Sequence, residues 1–366
     1  MAKLGKCVTI KTGKLDANAA IENGKYPFFT CSVTPLRIDD FSYDCECVLV
    51  AGNGDLNVKY YYGKFDAYQR TYIIESNDKT LLTVPYLYFF LEKYIETLRK
   101  QSFGGIIKYI RLCNLTNAEI PLCGINKQNQ ITTVLSKLNS VIEMRKKQLL
   151  KLDELVKSRF IEMFGDSVYN TNNLPIFKLK TLCKIGSSKR IYQNEQTTSG
   201  IPFLRVSDLN NRIDFGIDSC DLFIPIKKYE ELDLQGLVPK KGDILVTSRG
   251  TIGKCYIVKS QDCFYFQDGM ISWLSNIDKR VSSIYLAYLF STENIQKQIE
   301  RLQSGSTVAY LSIDMLKKLN IMLPDIEGQN DFEIFFKQAD KSKLAIEKSI
   351  EKLEILKKSL MQEYFG

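Results

Sequence analysis

Apolar residues recur at Ile131, Leu135, Leu138, Ile142, Leu149, Leu152, Val156 and Met163. Steps of four and three, with sevens where a position is skipped, mark a heptad stripe along one face of a helix. Arg145 and Arg159 fill the skipped positions. A second stretch carries Phe332, Phe336, Ala339, Ile346, Ile350, Leu353, Leu360 and Tyr364 at the matching sites. Neither run is interrupted by Gly or Pro, so each predicts a helix of about 38 residues, roughly 57 Å long at 1.5 Å per residue. Such a stripe must be covered, and each helix is the other's obvious partner. Leu135, Leu138, Ile142, Leu149 and Leu152 are expected to face Phe336, Ile346, Ile350, Leu353 and Leu360. The first helix holds eight basic and four acidic residues over 126–165, the second seven and eight over 327–366. That imbalance favours pairing between the two over self-pairing. The alternative is two amphipathic helices, each packed on its own globule.

Before each helix the pattern changes to short β-rich runs. Strands are expected at 47–51, 59–62 and 71–75, and again at 243–247, 255–258 and 270–274. Helical stretches follow near 86–99 and 284–302. The chain therefore divides into a mixed α/β globule at 1–123, a long helix at 124–165, a second globule at 166–324 and a second long helix at 325–366.

The two halves are copies. Residues 101–165 and 302–366 align without a gap at one offset, 201, as from Gly104 to Gly305. Tyr109 meets Tyr310, Ile110 meets Leu311, Gln128 meets Gln329, and Phe164-Gly165 meets Phe365-Gly366. The globules correspond more loosely: Val50-Ala51-Gly52-Asn53-Gly54 aligns with Val246-Thr247-Ser248-Arg249-Gly250. Divergent loops on a shared scaffold produce that drift. The expected fold is mixed α/β, two globules related by pseudo-twofold symmetry and separated by two long antiparallel coiled-coil helices.

Composition narrows the chemistry. The 366 residues are 45% hydrophobic and 11% aromatic, enough for real cores. No secretory signal is seen, and the longest apolar stretch, near 86–91, is too short to cross a bilayer, so a cytoplasmic location is expected. Ten cysteines lack CxxC spacing and histidine is absent, which argues against structural zinc and excludes histidine-based nucleophilic machinery. Neither a P-loop nor an Asn-Pro-Pro-aromatic tetrapeptide occurs. Scattered carboxylates leave a two-carboxylate mechanism open without pointing to one. A net charge of +8 is a mild bias toward polyanions.

Binding candidates are richer. Residues 242–254 read strand, tight turn, strand, with Ser248, Arg249, Thr251 and Lys254 at the turn. Hydroxyls, backbone N–H groups and a guanidinium there suit phosphates or base edges, though an ordinary solvated turn would look the same. Ser187, Ser188, Lys189 and Arg190 form a similar basic loop. Arg205, Ser207, Asn210 and Arg212 form a third, in which Arg205 could equally pair with Asp208. In the first globule, Asn53, Asp55 and Lys59, then Lys64, Gln69 and Arg70, interleave with aromatics.

Those motifs resemble the specificity subunit of type I restriction–modification systems. The resemblance rests on GDILVTSRGTIGK at 242–254, IPFLRVSDL at 201–209, DAYQRTY at 66–72 and QSGSTVAYLSIDMLKKLNIMLP at 303–324. The tails LDELVKSRFIEMFGD at 152–166 and LEILKKSLMQEYFG at 353–366 complete it. It implies two target-recognition domains, each reading half of a split DNA site, with helices that set the spacing and dock two methyltransferase (modification) subunits. S-adenosylmethionine, ATP and Mg are then expected on those partners and on restriction/translocase subunits, not on this non-catalytic chain. The dissimilar loops imply an asymmetric target. The first turn departs from the family's commoner SxGxxG pattern, reading Asn53-Gly54-Asp55. A standalone DNA-modifying enzyme and a coiled-coil protein–protein scaffold are the competing readings.

Overall fold

The computed structural model describes residues 1–303 and 309–366. Gly305, and part of the 303–324 motif, lie outside the described residues. The chain forms two compact units, Met1–Leu149 with Ala345–Gly366, and Leu150–Leu344. Each unit contains one globule and stretches of both long helices.

The globule of the first unit is built on a six-stranded sheet. Its order is Val8–Thr12, Thr71–Ser76, Tyr43–Ala51, Val58–Ala67, Tyr26–Phe29 and Leu36–Ile38. All neighbours are antiparallel except Tyr26–Phe29, which runs parallel to Val58–Ala67. Alternation along Tyr43–Ala51 sends Val48 and Val50 into the core shared with the helix Val84–Gln101. Cys47 and Leu49 go to a smaller cluster with Phe29 and Phe65.

The second unit varies the same plan. Lys184–Gly186, Ile271–Ser275, Ile244–Thr247 and Cys255–Ile257 form an antiparallel sheet in that order. Ile201–Leu204 pairs in parallel with Tyr265–Phe266, as Tyr26–Phe29 does with its neighbour. The stretch expected as one helix at 284–302 is two, Ser283–Ser291 and Glu293–Gln303. Thr292 breaks it: its backbone is extended and its hydroxyl donates to the Leu289 carbonyl at 2.6 Å.

The long helices run Ile125–Phe164 and Ile326–Phe365, 40 residues each. In the first unit the start of one, through Ile131 and Leu135, shares a core with the end of the other, through Met361 and Phe365. Phe365 lies 5.0 Å from the Tyr86 ring, and Lys146 pairs with Glu354 at 3.3 Å. In the second unit the end of the first helix meets the start of the second: Phe160 lies 5.4 Å from Phe332, and Asp153 pairs with Lys343. Within each unit the two helices are therefore antiparallel. Leu135, Leu138 and Ile142 are buried; Leu149, Leu152, Phe336, Ile346, Ile350, Leu353 and Leu360 are half-buried. The densest packing lies at the helix ends. Phe160 and Phe164 touch Tyr285 and Phe332, and neither was among the expected interface residues.

The sequence repeat is also a repeat of bonds. Gln128 is fully buried; its Oε1 accepts the Thr83 N–H at 3.0 Å and its Nε2 donates to the Leu81 and Cys123 carbonyls, each at 2.8 Å. Gln329, equally buried, accepts from the Ser282 N–H and donates to Arg280 and Pro324 carbonyls, all at 2.9 Å. Tyr86 donates to the Pro121 carbonyl at 2.7 Å, and Tyr285 to that of Met322 at 2.9 Å. Each glutamine ties a long helix to the entry of its globule's own helix, and no polar atom of its amide is left unbonded.

Candidate nucleic-acid interface

Each globule carries a turn held from two sides by backbone bonds. In the second unit, the Ser248 N–H donates to the Met270 carbonyl at 2.8 Å, and the Leu311 N–H donates to the Ser248 carbonyl at 2.9 Å. In the first unit, the Gly52 N–H donates to the Arg70 carbonyl at 2.8 Å, and the Ile110 N–H to the Gly52 carbonyl at 2.9 Å. Ile110 and Leu311 lie within the gap-free repeat. The repeated part of the chain thus braces the turn.

What projects from the second turn is narrower than its sequence suggests. Arg249 and Thr251 are exposed on either side of Gly250 at φ +71°, with Gly253 at φ +82° closing the turn. The Arg249 guanidinium sits 5.1 Å from the Tyr310 ring centroid, a cation–π contact that aims it. Ser248 is buried and its hydroxyl is shared with Ser272 at 2.8 Å. Lys254 reaches both carboxylate oxygens of Asp214 at 2.6 Å.

The neighbouring loop also divides. Ser187 Oγ donates to the Ile271 carbonyl and accepts the Gly269 N–H, both at 3.3 Å. Ser188 is buried, and its hydroxyl has no partner among the described residues. The Lys189 N–H donates to the Tyr265 hydroxyl at 2.7 Å; burial pushes that phenol up to about 12, so it stays neutral. Arg190 pairs with Asp268 at 2.8 Å, which raises its pKa further.

The stretch expected as a third loop, 205–212, is mostly helix, Val206–Phe215. Arg205 caps it: Asp208 accepts from the Arg205 N–H at 2.9 Å and from its guanidinium at 3.0 and 3.2 Å. Ser207 is exposed, whereas Asn210 is half-buried with an unpartnered Oδ1. Arg212 is enclosed between Asp218 at 3.1 Å and Asp262 at 3.4 Å, over the Phe264 ring.

In the first unit, Asn53 bridges to Tyr109, and Asp55 pairs with Arg99 at 3.3 Å. Lys59 donates to Asn57, and burial lowers its pKa. Asn57 in turn donates to the Cys31 carbonyl at 2.7 Å, and Cys31 to the Arg70 carbonyl at 3.6 Å. Asn53, Lys59 and Arg70 therefore share one edge. Gln69 is exposed there and donates to Asp16 at 2.6 Å. Lys64 has other neighbours, its ammonium lying 4.6 Å from the Phe41 centroid.

This doubled arrangement matches a known family. The family described as "Type I restriction modification DNA specificity domain" matches residues 1–154 and 173–356. The chain belongs to that family. It is 38% identical over 155 residues to the type I restriction enzyme EcoDI specificity subunit of Escherichia coli, covering 42% of this chain and 34% of that one. It is 25% identical over 339 residues to the MjaVIII specificity subunit of Methanocaldococcus jannaschii, covering 86% and 77%. The S subunit crystal structure from M. genitalium shares the fold at a TM-score of 0.67 and 17% identity, over 100% of this chain and 95% of that chain.

For a specificity chain, one element of the first globule escaped the sequence reading. Residues 103–109 form a hairpin in which Phe103 and Tyr109 exchange N–H to carbonyl bonds at 2.9 and 2.8 Å. The Gly54 N–H donates to the Lys108 carbonyl at 2.9 Å, which zips this hairpin to the Asn53 turn. The Arg111 guanidinium lies 4.4 Å from the Phe103 centroid. Gly104 and Tyr109 were legible as repeat positions; nothing local marked them as neighbours of the turn. Among the described residues, no helix is long and apolar enough to cross a membrane.

Proposed function

We propose that this chain is the DNA-reading and assembly subunit of a type I restriction–modification complex and performs no chemistry itself. One observation carries the reading. Two turns hang from the same backbone bonds, while the tips they present differ, Asn53 in one and Arg249 in the other. Arginine at a braced turn reads guanine bidentately, and asparagine reads adenine. Unlike tips imply unlike half-sites, hence an asymmetric split target. Arg249, Thr251, Lys189 and Ser207 are the outward-facing candidates in the second globule, and Asn53, Gln69 and Arg70 in the first. Ser248, Arg205, Arg212 and Lys254 position them.

The long helices serve assembly. Met144, Leu150 and Leu155 on the first, and Leu344, Ile355 and Leu356 on the second, are about half exposed or more, from 48% to 65%. Apolar side chains left in solvent along a coiled coil suit docking of partner subunits. Those partners are two methyltransferase subunits, which would carry S-adenosylmethionine, with ATP and Mg on restriction/translocase subunits where present. Such an assembly works in the cytoplasm.

Replacing residues 166–324 by a relative's should change one half of the methylated sequence and leave the other, as read by methylome sequencing. A change in both halves, or in neither, would sink the modular reading. Turnover by the purified chain alone with DNA, S-adenosylmethionine and Mg²⁺ would sink the non-catalytic one.

A further inference from the structure

The hairpin at 103–109 presents two branched apolar side chains to solvent. Ile106 is fully exposed and Ile107 is 63% exposed. The tip is not a slack loop. The Phe103–Tyr109 pair closes its base, and Ile110 is buried directly behind it. Gly104 takes φ +106°, and a Cβ there would stand 2.5 Å from the Ile107 carbonyl oxygen, so glycine is required for the bend. The Gly54–Lys108 bond then locks the tip to the recognition turn.

Its surroundings are cationic. Lys108 lies within the tip, Arg111 stacks on Phe103, and Arg70 sits below the turn. None of the three forms an ion pair among the described residues. The Asp55 carboxylate next to Gly54 is paired with Arg99, so an apolar tip with unpaired cations beside it remains, which suits a polyanion with a stacked apolar interior. Duplex DNA has that chemistry: the exposed Phe103 ring widens the apolar surface but carries the Arg111 guanidinium over it, which a neutral protein partner would not call for. At the matching positions the second copy reads Thr307-Val308, outside the described residues, so the isoleucine pair belongs to the first globule.

We propose that Ile106 and Ile107 form a wedge that enters a base-pair step of the half-site read by the first globule, partly unstacking it. The proposal rests on the DNA-reading function above. Branched apolar side chains inserted between base steps kink a duplex and bring more of it against the protein, so specificity arises from how readily that step unstacks.

The test uses the chain assembled with its methyltransferase subunits, without S-adenosylmethionine. The probes are duplexes carrying 2-aminopurine at successive positions of the mapped half-site, avoiding the methylated adenine. The wild-type complex should brighten the probe several-fold at one step. I106S/I107S should abolish that signal and weaken site-specific binding about tenfold, with non-specific binding unchanged. I106L/I107L should keep both. Equal brightening and affinity in the serine variant would overturn the wedge. So would loss of subunit assembly with brightening intact, which would make the tip a protein-docking point. A wild-type complex with no preference for the methylated site would instead overturn the reading on which the wedge depends.

Discussion

The two turns invite comparison because so little differs beneath them. Gly52 and Ser248 make equivalent pairs of backbone bonds, to Arg70 and Ile110 in one unit and to Met270 and Leu311 in the other. Above that floor the units part. The first turn is short and zipped to an exposed hairpin. The second is longer, bent at two glycines, with its arginine steadied by Tyr310. Backbone bonds ask nothing of side-chain identity, so the anchoring survives while the tips diverge.

The largest expected effect lies in the helical core of the second unit, beneath its turn-bearing sheet. Phe160→Ala removes a fully buried ring that contacts Tyr285, Tyr288 and Phe332, and should cost about 4 kcal/mol in chemical denaturation. Slightly smaller, and more telling, are Gln128→Leu and Gln329→Leu. Each strands one N–H and two carbonyls and should cost about 3 kcal/mol. If their costs differ by more than about 1 kcal/mol, the bonding symmetry is not an energetic one.

The next effects separate the readers. Arg249→Ala should weaken binding to the cognate site by about 1–3 kcal/mol and relax only the second half-site, measured by competition with single-base variants. Asn53→Ala should act on the first half-site alone. Relaxation of both by either change would break the comparison. Tyr310→Leu should reproduce part of the Arg249 loss, about 0.5–1 kcal/mol, by unsteadying its guanidinium. Smallest is Arg205→Ala: about 1 kcal/mol or less of thermal stability, measured by thermal denaturation, since this ion pair is partly exposed.

Much of this was legible beforehand, for identifiable reasons. The heptad stripe showed the long helices because helix periodicity is local, and short runs of β-favouring residues between turns showed strands such as Ile244–Thr247 for the same reason. The helix at Val206–Phe215 was misjudged as a loop because Arg205, Asp208 and the polar Asn210-Asn211 read as recognition chemistry, while Asp208 is spent on the cap. Phe160 and Phe164 were passed over because their importance comes from Tyr285 and Phe332, which lie far along the chain.

By itself, then, the sequence determined the family, the doubling, the two helices and the places where turns stand, all carried by periodicity and repetition. Only the tertiary structure decided which charged residues face outward. Arg212 and Lys254 look as available as Arg249 until Asp262 and Asp214 arrive beside them, across 50 and 40 positions of chain. The hairpin at 103–109 likewise comes to lie beside the first turn only through the backbone bond from Gly54 to Lys108. Pairing over such separations depends on the closed fold, because a charge or a backbone donor is used up only by the partner that folding brings to it.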